Sequence, residues 1–158
     1  MQRPQHVSKV SFAIIDPRTP AVAALIAELD VYQSSLYPAA SNHLLPIAAL
    51  CAPNVRVVGA TVAGTLAGCG AVVDQRDYAE IKRMFVAERF RRFGIGRSIL
   101  LELEALAKKA GLRIARLESG IHQPEALRLY ERAGYVRRAE FGSYGPDALS
   151  VFMEKPIM

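Results

Sequence analysis

Residues 91–100 have the sequence RRFGIGRSIL. Three arginines surround two glycines, Gly94 and Gly96, and the apolar run that follows is typical of a helix. The first N–H groups of a helix have no partner within it, and their dipoles favour negative charge. Glycine also lets an anion approach the backbone closely. The stretch therefore fits a helix N-terminus that binds phosphate.

Two common phosphate motifs do not match this stretch. The dinucleotide-binding fingerprint needs a third glycine, where this chain has Ile99. A Walker loop needs Gly-Lys-Ser or Gly-Lys-Thr, which is absent here. A Gly-x-Gly pair is also compatible with a turn that only packs a helix against a sheet, so both interpretations stay open at this point.

Strand and helix patterns alternate along the chain. Pro20 and Pro124 are typical of helix starts. Gly111 and Gly134 are typical of helix ends. The pattern predicts a mixed α/β sheet with helices on its faces. The expected strands are 10–15, 55–62, 65–73, 78–86, 112–117, 135–141 and 149–154, and the expected helices begin at Pro20, after Ser41 or Asn42, after the glycine pair, and at Pro124.

The length and composition predict one compact domain. The chain has 158 residues, of which 51% are hydrophobic, and we expect a single domain over 1–158 with 1–8 as a flexible tail. The polar start lacks the apolar core of a secretory signal, and Cys51 and Cys69 are not closely spaced. A cytoplasmic protein with reduced thiols is therefore expected. The uncharged stretch 57–73 is too short and too rich in glycine for a membrane span.

The net charge of +5 is unevenly placed along the chain. Basic clusters attract acidic partners, although many only keep a surface solvated. A nucleic-acid binder would need an extended basic stripe with aromatic platforms. The clustering of arginines around one glycine loop favours a discrete phosphate ligand. No nucleic-acid partner and no metal site are expected. The arginines nearest the loop are Arg83, Arg89, Arg91, Arg92 and Arg97.

The strand over 78–86 carries charges that are unusual in a central strand. Strict alternation divides it into two faces, Glu80, Lys82, Met84 and Val86 against Ile81, Arg83 and Phe85. The charges indicate a groove beside the sheet, and an edge strand is the alternative interpretation.

The sequence VAERFRRFGIG at 86–96 resembles the acetyl-CoA pyrophosphate motif of the GNAT N-acetyltransferase superfamily. Arg91, Gly94 and Gly96 match the fixed positions of that motif, and LESGIHQPEALRLYERAGY at 117–135 resembles the second half of the family. The resemblance implies a GNAT-like fold, with a mostly antiparallel twisted sheet of six to seven strands flanked by about four helices. It also implies acetyl transfer from acetyl-CoA to an amine, with CoA as the product.

The resemblance implies a cofactor site along the strand end and the glycine loop. The strand would pair its backbone with the pantetheine arm, and an N–H of Phe85 or Val86 would polarise the thioester carbonyl. Gln123 stands where the family often has asparagine, so the contact made by that asparagine is not carried over. The implied cofactor-binding residues are Met84, Phe85, Val86, Arg91, Arg92, Phe93, Gly94, Ile95, Gly96, Arg97, Gln123 and Tyr130.

The resemblance also implies two catalytic residues. Tyr130 occupies the position of the tyrosine that protonates the departing thiolate, and its alternative is a core tyrosine on an amphipathic helix. Glu80 is the first candidate base for the acceptor amine, and its alternative is an ion pair with Lys82. His43 is a second candidate base, because histidine changes charge near neutral pH. Cys69 would carry the acetyl group in a ping-pong route, but direct transfer is favoured.

The acceptor is expected to bind at the least regular segments, 37–45 and the loop before the last strand. Their aromatic and hydrogen-bonding groups suit a small-molecule amine. The alternatives are a protein or peptide acceptor and a module that binds acyl-CoA without catalysis. A homodimer is compatible with all of these functions. The candidate acceptor-binding residues are Tyr37, Ser41, His43, Phe141 and Tyr144.

Overall fold

The computed structural model describes residues 9–158, so the tail predicted over 1–8 lies outside the described residues. Within that range the chain forms a seven-stranded sheet with four α-helices, which confirms the predicted mixed α/β fold. The strands are β1 (Val10–Ile14), β2 (Val55–Val62), β3 (Thr65–Asp74), β4 (Ala79–Val86), β5 (Ile114–Gly120), β6 (Val136–Arg138) and β7 (Ser150–Pro156). The helices are α1 (Pro20–Leu36), α2 (Ile47–Leu50), α3 (Ile95–Lys109) and α4 (Pro124–Arg132).

The sheet opens between its two central strands. Its order is β1-β2-β3-β4-β5-β7-β6, and β4 with β5 is the parallel pair among the described strands. These two strands pair only from Ala79–Ala115 to Ile81–Leu117, although β4 continues to Val86 and β5 to Gly120. Their carboxyl ends therefore separate and leave backbone groups of β4 free to pair with a ligand.

A bulge in β4 overturns the two faces predicted for this strand. The register with β3 shifts partway along, and Arg83 has a φ of 57°. Ile81 consequently shares one hydrophobic cluster with Met84 and Val86, on the side of α3. Phe85 belongs to the cluster beneath α1. Strict alternation fails here because a bulge inserts an extra residue into the ladder.

The two hydrophobic clusters cover the two faces of the sheet. Ile99 and Leu103 of α3 are fully buried on one face, and Ile26 of α1 and Leu50 of α2 on the other. Each such side chain contributes about 1.5–3 kcal/mol by leaving water. This packing fixes the end of α1 and the start of α3 close to the opening between β4 and β5. No helix within residues 9–158 is long and apolar enough to cross a membrane.

The segment between α1 and α2 is less helical than the sequence pattern predicts. A single 3₁₀ turn covers Ala39–Ser41, and α2 begins only at Ile47. Pro46 lies before α2 and disfavours helical backbone at Leu45, so the expected helix start after Ser41 or Asn42 is wrong. The strand predicted over 135–141 is likewise shorter, because β6 ends at Arg138.

Candidate active site

A cleft lies where β4 and β5 separate, and we call it the central cleft. Its walls come from α1, β4, β5, α4 and the loop before β7, and residues 37–45 form its roof. The side chains used in the arguments below are Tyr37, Ser41, Asn42, His43, Leu45, Lys82, Arg83, Met84, Glu118, Gln123, Tyr130 and Tyr144.

Two cations of β4 hold the roof in place. Arg83 donates from Nε to the carbonyl oxygen of Leu45 at 2.9 Å and forms an ion pair with Asp30 of α1. Lys82 donates from Nζ to the carbonyl oxygen of His43 at 3.5 Å. The Arg83 side chain is only 4% exposed, so this ion pair is well shielded from solvent on the arginine side. The roof is therefore tied to the strand that forms the floor.

Tyr37 connects the roof to the start of α4. Its hydroxyl donates to Oε1 of Gln123 at 3.2 Å and accepts the backbone N–H of His122 at 3.1 Å. Its ring stacks on the His122 ring with centroids 5.5 Å apart. Tyr37 was predicted to bind the acceptor and Gln123 the cofactor. The structure brings the two side chains into contact with each other at the wall of the cleft.

Gly120 at the end of β5 leaves the space that Tyr37 fills. A Cβ at this position would lie 1.8 Å from the Tyr37 hydroxyl oxygen and 2.0 Å from Cζ. We expect Gly120→Ala to lower the free energy of unfolding by about 1–3 kcal/mol, because the buried ring must move. Denaturant unfolding measures this loss.

The matched control for Gly120 is the double variant with Tyr37→Ala. The three atoms nearest to the added methyl group all belong to the Tyr37 ring or hydroxyl, and truncation removes them. The sum of the two single losses of stability should therefore clearly exceed the loss measured in the double variant. Additive losses would contradict the contact between Gly120 and Tyr37.

Tyr130 lies on α4 with its side chain directed into the central cleft. It is 7% exposed, and its ring packs edge-on against Tyr135 with centroids 6.0 Å apart. Burial raises the pKa of Tyr130, and the nearby Glu118 carboxylate raises it further. The phenol therefore stays protonated at neutral pH, which is the state of a proton donor.

Glu80 is buried beside the cleft and is already engaged. Its carboxylate accepts from the Tyr144 hydroxyl at 2.6 Å, from Gln75 Nε2 at 3.3 Å and from Lys82 Nζ at 3.5 Å. Tyr144 in turn accepts from Lys82 Nζ at 2.7 Å. The ion pair with Lys82 that the sequence analysis offered as the alternative is thus present, and the role of Glu80 as the base stays a prediction.

Glu118 of β5 lines the central cleft and is not among the site residues predicted from the sequence. Burial raises its pKa, whereas the Ser150 hydroxyl and the nearby His43 and Lys82 side chains lower it. The length of the strand would have identified Glu118 as a site residue, because β5 runs to Gly120 whereas the predicted strand ends at Leu117. A strand extended by one residue would have placed Glu118 opposite β4 at the opening of the sheet.

Four of the five predicted acceptor residues line the cleft, namely Tyr37, Ser41, His43 and Tyr144. Phe141 does not, because it is 5% exposed and packs edge-on behind Tyr144 at 5.2 Å between centroids. His43 Nε2 lies 3.4 Å from Oδ2 of Asp147, and its ring meets the edge of Tyr144. The structure thus joins the roof and the loop before β7 on one side of the cleft.

The glycine pair starts α3 as the sequence predicts. Gly94 is the N-cap residue with a φ of 76°, and Arg92 has a φ of 71°. No side chain caps this end, and the first turn contains no acidic residue. A Cβ at Gly94 would meet nothing within 4 Å. The first N–H groups of α3 are therefore open to an anion, next to the exposed Arg92 and Arg97.

The model of the acetyltransferase (GNAT) family matches residues 22–135, which include β4, β5, α4 and the start of α3. The chain belongs to this family. It is an acetyl-CoA-dependent N-acetyltransferase, as its relatives and its fold also show.

Three similar proteins illustrate the relationship of this GNAT acetyltransferase to others. "IAA acetyltransferase" of Azospirillum brasilense is 45% identical over 150 residues, which cover 94% of this chain and 98% of that protein. A crystal structure from Klebsiella pneumoniae, assigned to the acyl-CoA N-acyltransferases, has a TM-score of 0.80 at 36% identity and covers 94% and 98%. PaiA N-acetyltransferase of Thermoplasma acidophilum, solved with coenzyme A, shares the fold alone at 18% identity, with a TM-score of 0.75 and coverage of 94% and 99%.

The predicted cofactor-binding residues of this GNAT acetyltransferase lie at the central cleft and around the start of α3. Met84, Gln123 and Tyr130 line the cleft. Phe85 points to the opposite face, so its contribution would come from its backbone. Arg91 turns back to donate from Nε to the Val86 carbonyl oxygen at 2.9 Å. Its guanidinium lies 5.6 Å from the Phe85 ring centre, so Arg91 holds the loop to the strand end.

The remaining predicted cofactor residues lie around the start of α3. Ile95 is buried in the core, and Gly96 lies in the first turn, where both residues contribute backbone N–H groups. Phe93 is 72% exposed beside Gly94. Together with Arg92 and Arg97, they form the surface on which the pyrophosphate would rest.

Proposed function

We propose that this chain transfers the acetyl group of acetyl-CoA directly to a primary amine of a small molecule, as a single catalytic domain. One observation carries the proposal. The central cleft contains Tyr130 together with four residues predicted to bind the acceptor, Tyr37, Ser41, His43 and Tyr144. Hydrogen bonds from Arg83 and Lys82 hold the roof over this cleft. A roofed cleft suits a small molecule, because a polypeptide acceptor would need an open groove across this face.

The glycine loop and the separated end of β4 would hold the cofactor. The first N–H groups of α3 would bind the pyrophosphate, with Arg92 and Arg97 supplying positive charge. Backbone groups of Met84 to Val86 would pair with the pantetheine arm. Acetyl-CoA supplies a thioester whose carbonyl carbon accepts the lone pair of the amine, with the thiolate as the leaving group. An N–H of Phe85 or Val86 would stabilise the carbonyl oxygen as negative charge develops.

Tyr130 would protonate the leaving sulfur. Its raised pKa keeps the phenol protonated until the thiolate forms. Its position on α4 is fixed by packing against Tyr135 and by the N–H of Tyr135, which donates to the carbonyl oxygen of Tyr130 at 3.0 Å. A buried and held phenol loses little further freedom as the reaction proceeds, which favours the proton transfer.

Direct transfer is further supported by the state of Cys69. The side chain is completely buried, and its thiol donates to the carbonyl oxygen of Arg83 at 3.6 Å. Burial raises the pKa of Cys69 to about 12, so almost no thiolate exists at neutral pH. An acetyl group carried on Cys69 would need both access and a thiolate, and this site offers neither.

The acceptor class is tested by thiol release from acetyl-CoA against a panel of amino acids, polyamines, aminoglycosides and peptides. We expect at least one small amine to support saturable turnover and the peptides to support none above the background. Initial rates that give intersecting reciprocal plots would indicate a complex with both substrates. Turnover restricted to peptides or proteins would contradict the proposal.

The name of one relative, "IAA acetyltransferase" of Azospirillum brasilense, supports a small-molecule acceptor. Both cysteines are free, which suits the reducing cytoplasm where we propose that the chain acts. The family resemblance is compatible with a homodimer, and sedimentation of the purified chain measures the oligomeric state.

A further inference from the structure

We propose that Glu118, rather than Glu80, is the base that takes the proton from the acceptor amine. This inference rests on the proposed function and names a catalytic residue of the same cleft. Four independent features of the structure support it: the place of Glu118 in the sheet, the bonds that occupy Glu80, the surrounding charges, and the position of Tyr130.

The opening of the sheet brings Glu118 into the central cleft. The last paired residues of β4 and β5 are Ile81 and Leu117, so Glu118 is the first residue of β5 beyond the pairing. Its side chain lines the same cleft as Tyr130 of α4. Among the described side chains that line this cleft, Glu118 carries the only carboxylate.

Glu80 is poorly placed for the same task. It does not line the cleft, and its Oε2 accepts from both Tyr144 and Lys82 while its Oε1 accepts from Gln75. An amine that contacted Oε2 directly would compete with the Tyr144 hydroxyl, which is 2.6 Å from this oxygen. Glu80 instead orients Tyr144 and Lys82, which themselves line the cleft.

Groups of either sign surround Glu118. Lys82 of β4 and His43 of the roof lie near it, and a second carboxylate, Asp147, comes from the loop before β7. Burial raises the pKa of Glu118, which brings the carboxylate closer to the strength that a base needs near neutral pH. The ionisable or hydroxyl groups that face it are Tyr37, His43, Lys82, Tyr130, Tyr144, Asp147 and Ser150.

The protons and bonds balance with Glu118 and Tyr130 as the two partners. Glu118 takes one proton from the ammonium group, and the freed lone pair forms the N–C bond to the acetyl carbonyl carbon. The C–S bond breaks with its electron pair on sulfur, which takes the phenolic proton of Tyr130. The nitrogen gives up its second proton as the amide forms, and that proton restores the phenol. The proton held by Glu118 passes to solvent.

The test compares Glu118→Gln with the wild type over a range of pH. We expect kcat/KM of the wild type to fall as the pH drops through the raised pKa of Glu118, because the base becomes protonated. In Glu118→Gln this fall of kcat/KM at low pH should be absent. At neutral pH the variant should have a kcat/KM lower by about 100-fold or more, with CoA affinity unchanged. The difference in kcat/KM between the variant and the wild type should shrink as the pH rises, because more of the amine is then deprotonated in solution.

Two further variants sharpen the comparison. Glu102→Gln removes an exposed carboxylate of α3 outside the cleft and should retain both the rate and the profile. Glu80→Gln should retain the low-pH limb, even where the loss of its bonds to Tyr144 and Lys82 raises KM. A Glu118→Gln profile identical to the wild type, or a limb abolished by Glu80→Gln alone, would overturn the proposal.

A measurement without acetyl-CoA separates this inference from the proposed function. Carboxyl ¹³C resonances of the free protein should include one glutamate that titrates above 4.5, the ordinary pKa of this group, and Glu118→Gln should remove that resonance. Its absence would overturn the assignment of the base. Failure of every small amine in the wild-type assay would instead overturn the proposed function.

Discussion

Tyr130→Phe is expected to lower turnover by about 100-fold or more, while acetyl-CoA affinity changes by no more than about threefold. The variant removes one hydroxyl group and keeps the ring that packs against Tyr135. The leaving thiolate then has to take its proton from solvent. Steady-state kinetics measures the rate, and calorimetric titration measures the affinity.

A matched control is Tyr78→Phe, which removes a tyrosine hydroxyl at a position that does not line the cleft. We expect this control to stay within about twofold of the wild type, because it removes a hydroxyl that does not line the cleft and keeps the ring that packs against Phe141. Unchanged turnover in Tyr130→Phe would remove Tyr130 from the mechanism. An equal loss of affinity and turnover would make its role one of binding.

Gly94→Glu is expected to weaken CoA binding by about 100-fold or more. Gly94 faces open space at the start of α3, so the new carboxylate would occupy the place proposed for the pyrophosphate. Two like charges about 4 Å apart repel by roughly 4 kcal/mol at an effective dielectric of 20. Calorimetric titration with CoA measures the loss.

The control for backbone strain is Gly94→Ala. Gly94 has a φ of 76°, so both variants place a Cβ in the left-handed region and lose about 1–2 kcal/mol of stability. Only the glutamate adds negative charge, so Gly94→Ala should retain most of the CoA affinity. Equal losses of affinity in the two variants would show that the loop conformation, and no phosphate contact, explains the effect.

The glycine stretch could be predicted from the sequence because its chemistry is local. Arg91, Gly94 and Gly96 lie within one loop, and the helix that follows shows its own apolar period. The order of strands and helices was predictable for the same reason, since each element carries its own pattern and end signals. Family membership then followed from the order and spacing of two such segments.

The parts that could not be predicted depend on how strands pair. The bulge at Arg83 exchanges the two faces of β4, and nothing in the residues of the strand marks it. Glu118 was missed because its importance comes from the separation of β5 from β4 beyond Leu117. Phe141 and Tyr144 both looked suitable for the acceptor, and only packing decides that Phe141 lies behind Tyr144.

The role of single side chains is also hidden from the sequence when they bond to one another. Tyr37 and Gln123 were assigned to different ligands, yet the Tyr37 hydroxyl donates to Gln123 across the wall of the cleft. Arg91 matches the cofactor motif, yet its guanidinium group binds the Val86 carbonyl oxygen. Motif positions therefore indicate where a ligand binds more reliably than which atoms contact it.

Direct acetyl transfer to a small amine makes a definite prediction about where each acetyl group ends. Thiol released from acetyl-CoA is counted together with the acetyl groups found by mass spectrometry on the amine and on the protein. We predict one acetylated amine for each thiol released and no acetyl group on Cys69. Thiol release that leaves the amine unmodified, or that places the acetyl group on the protein, would contradict it.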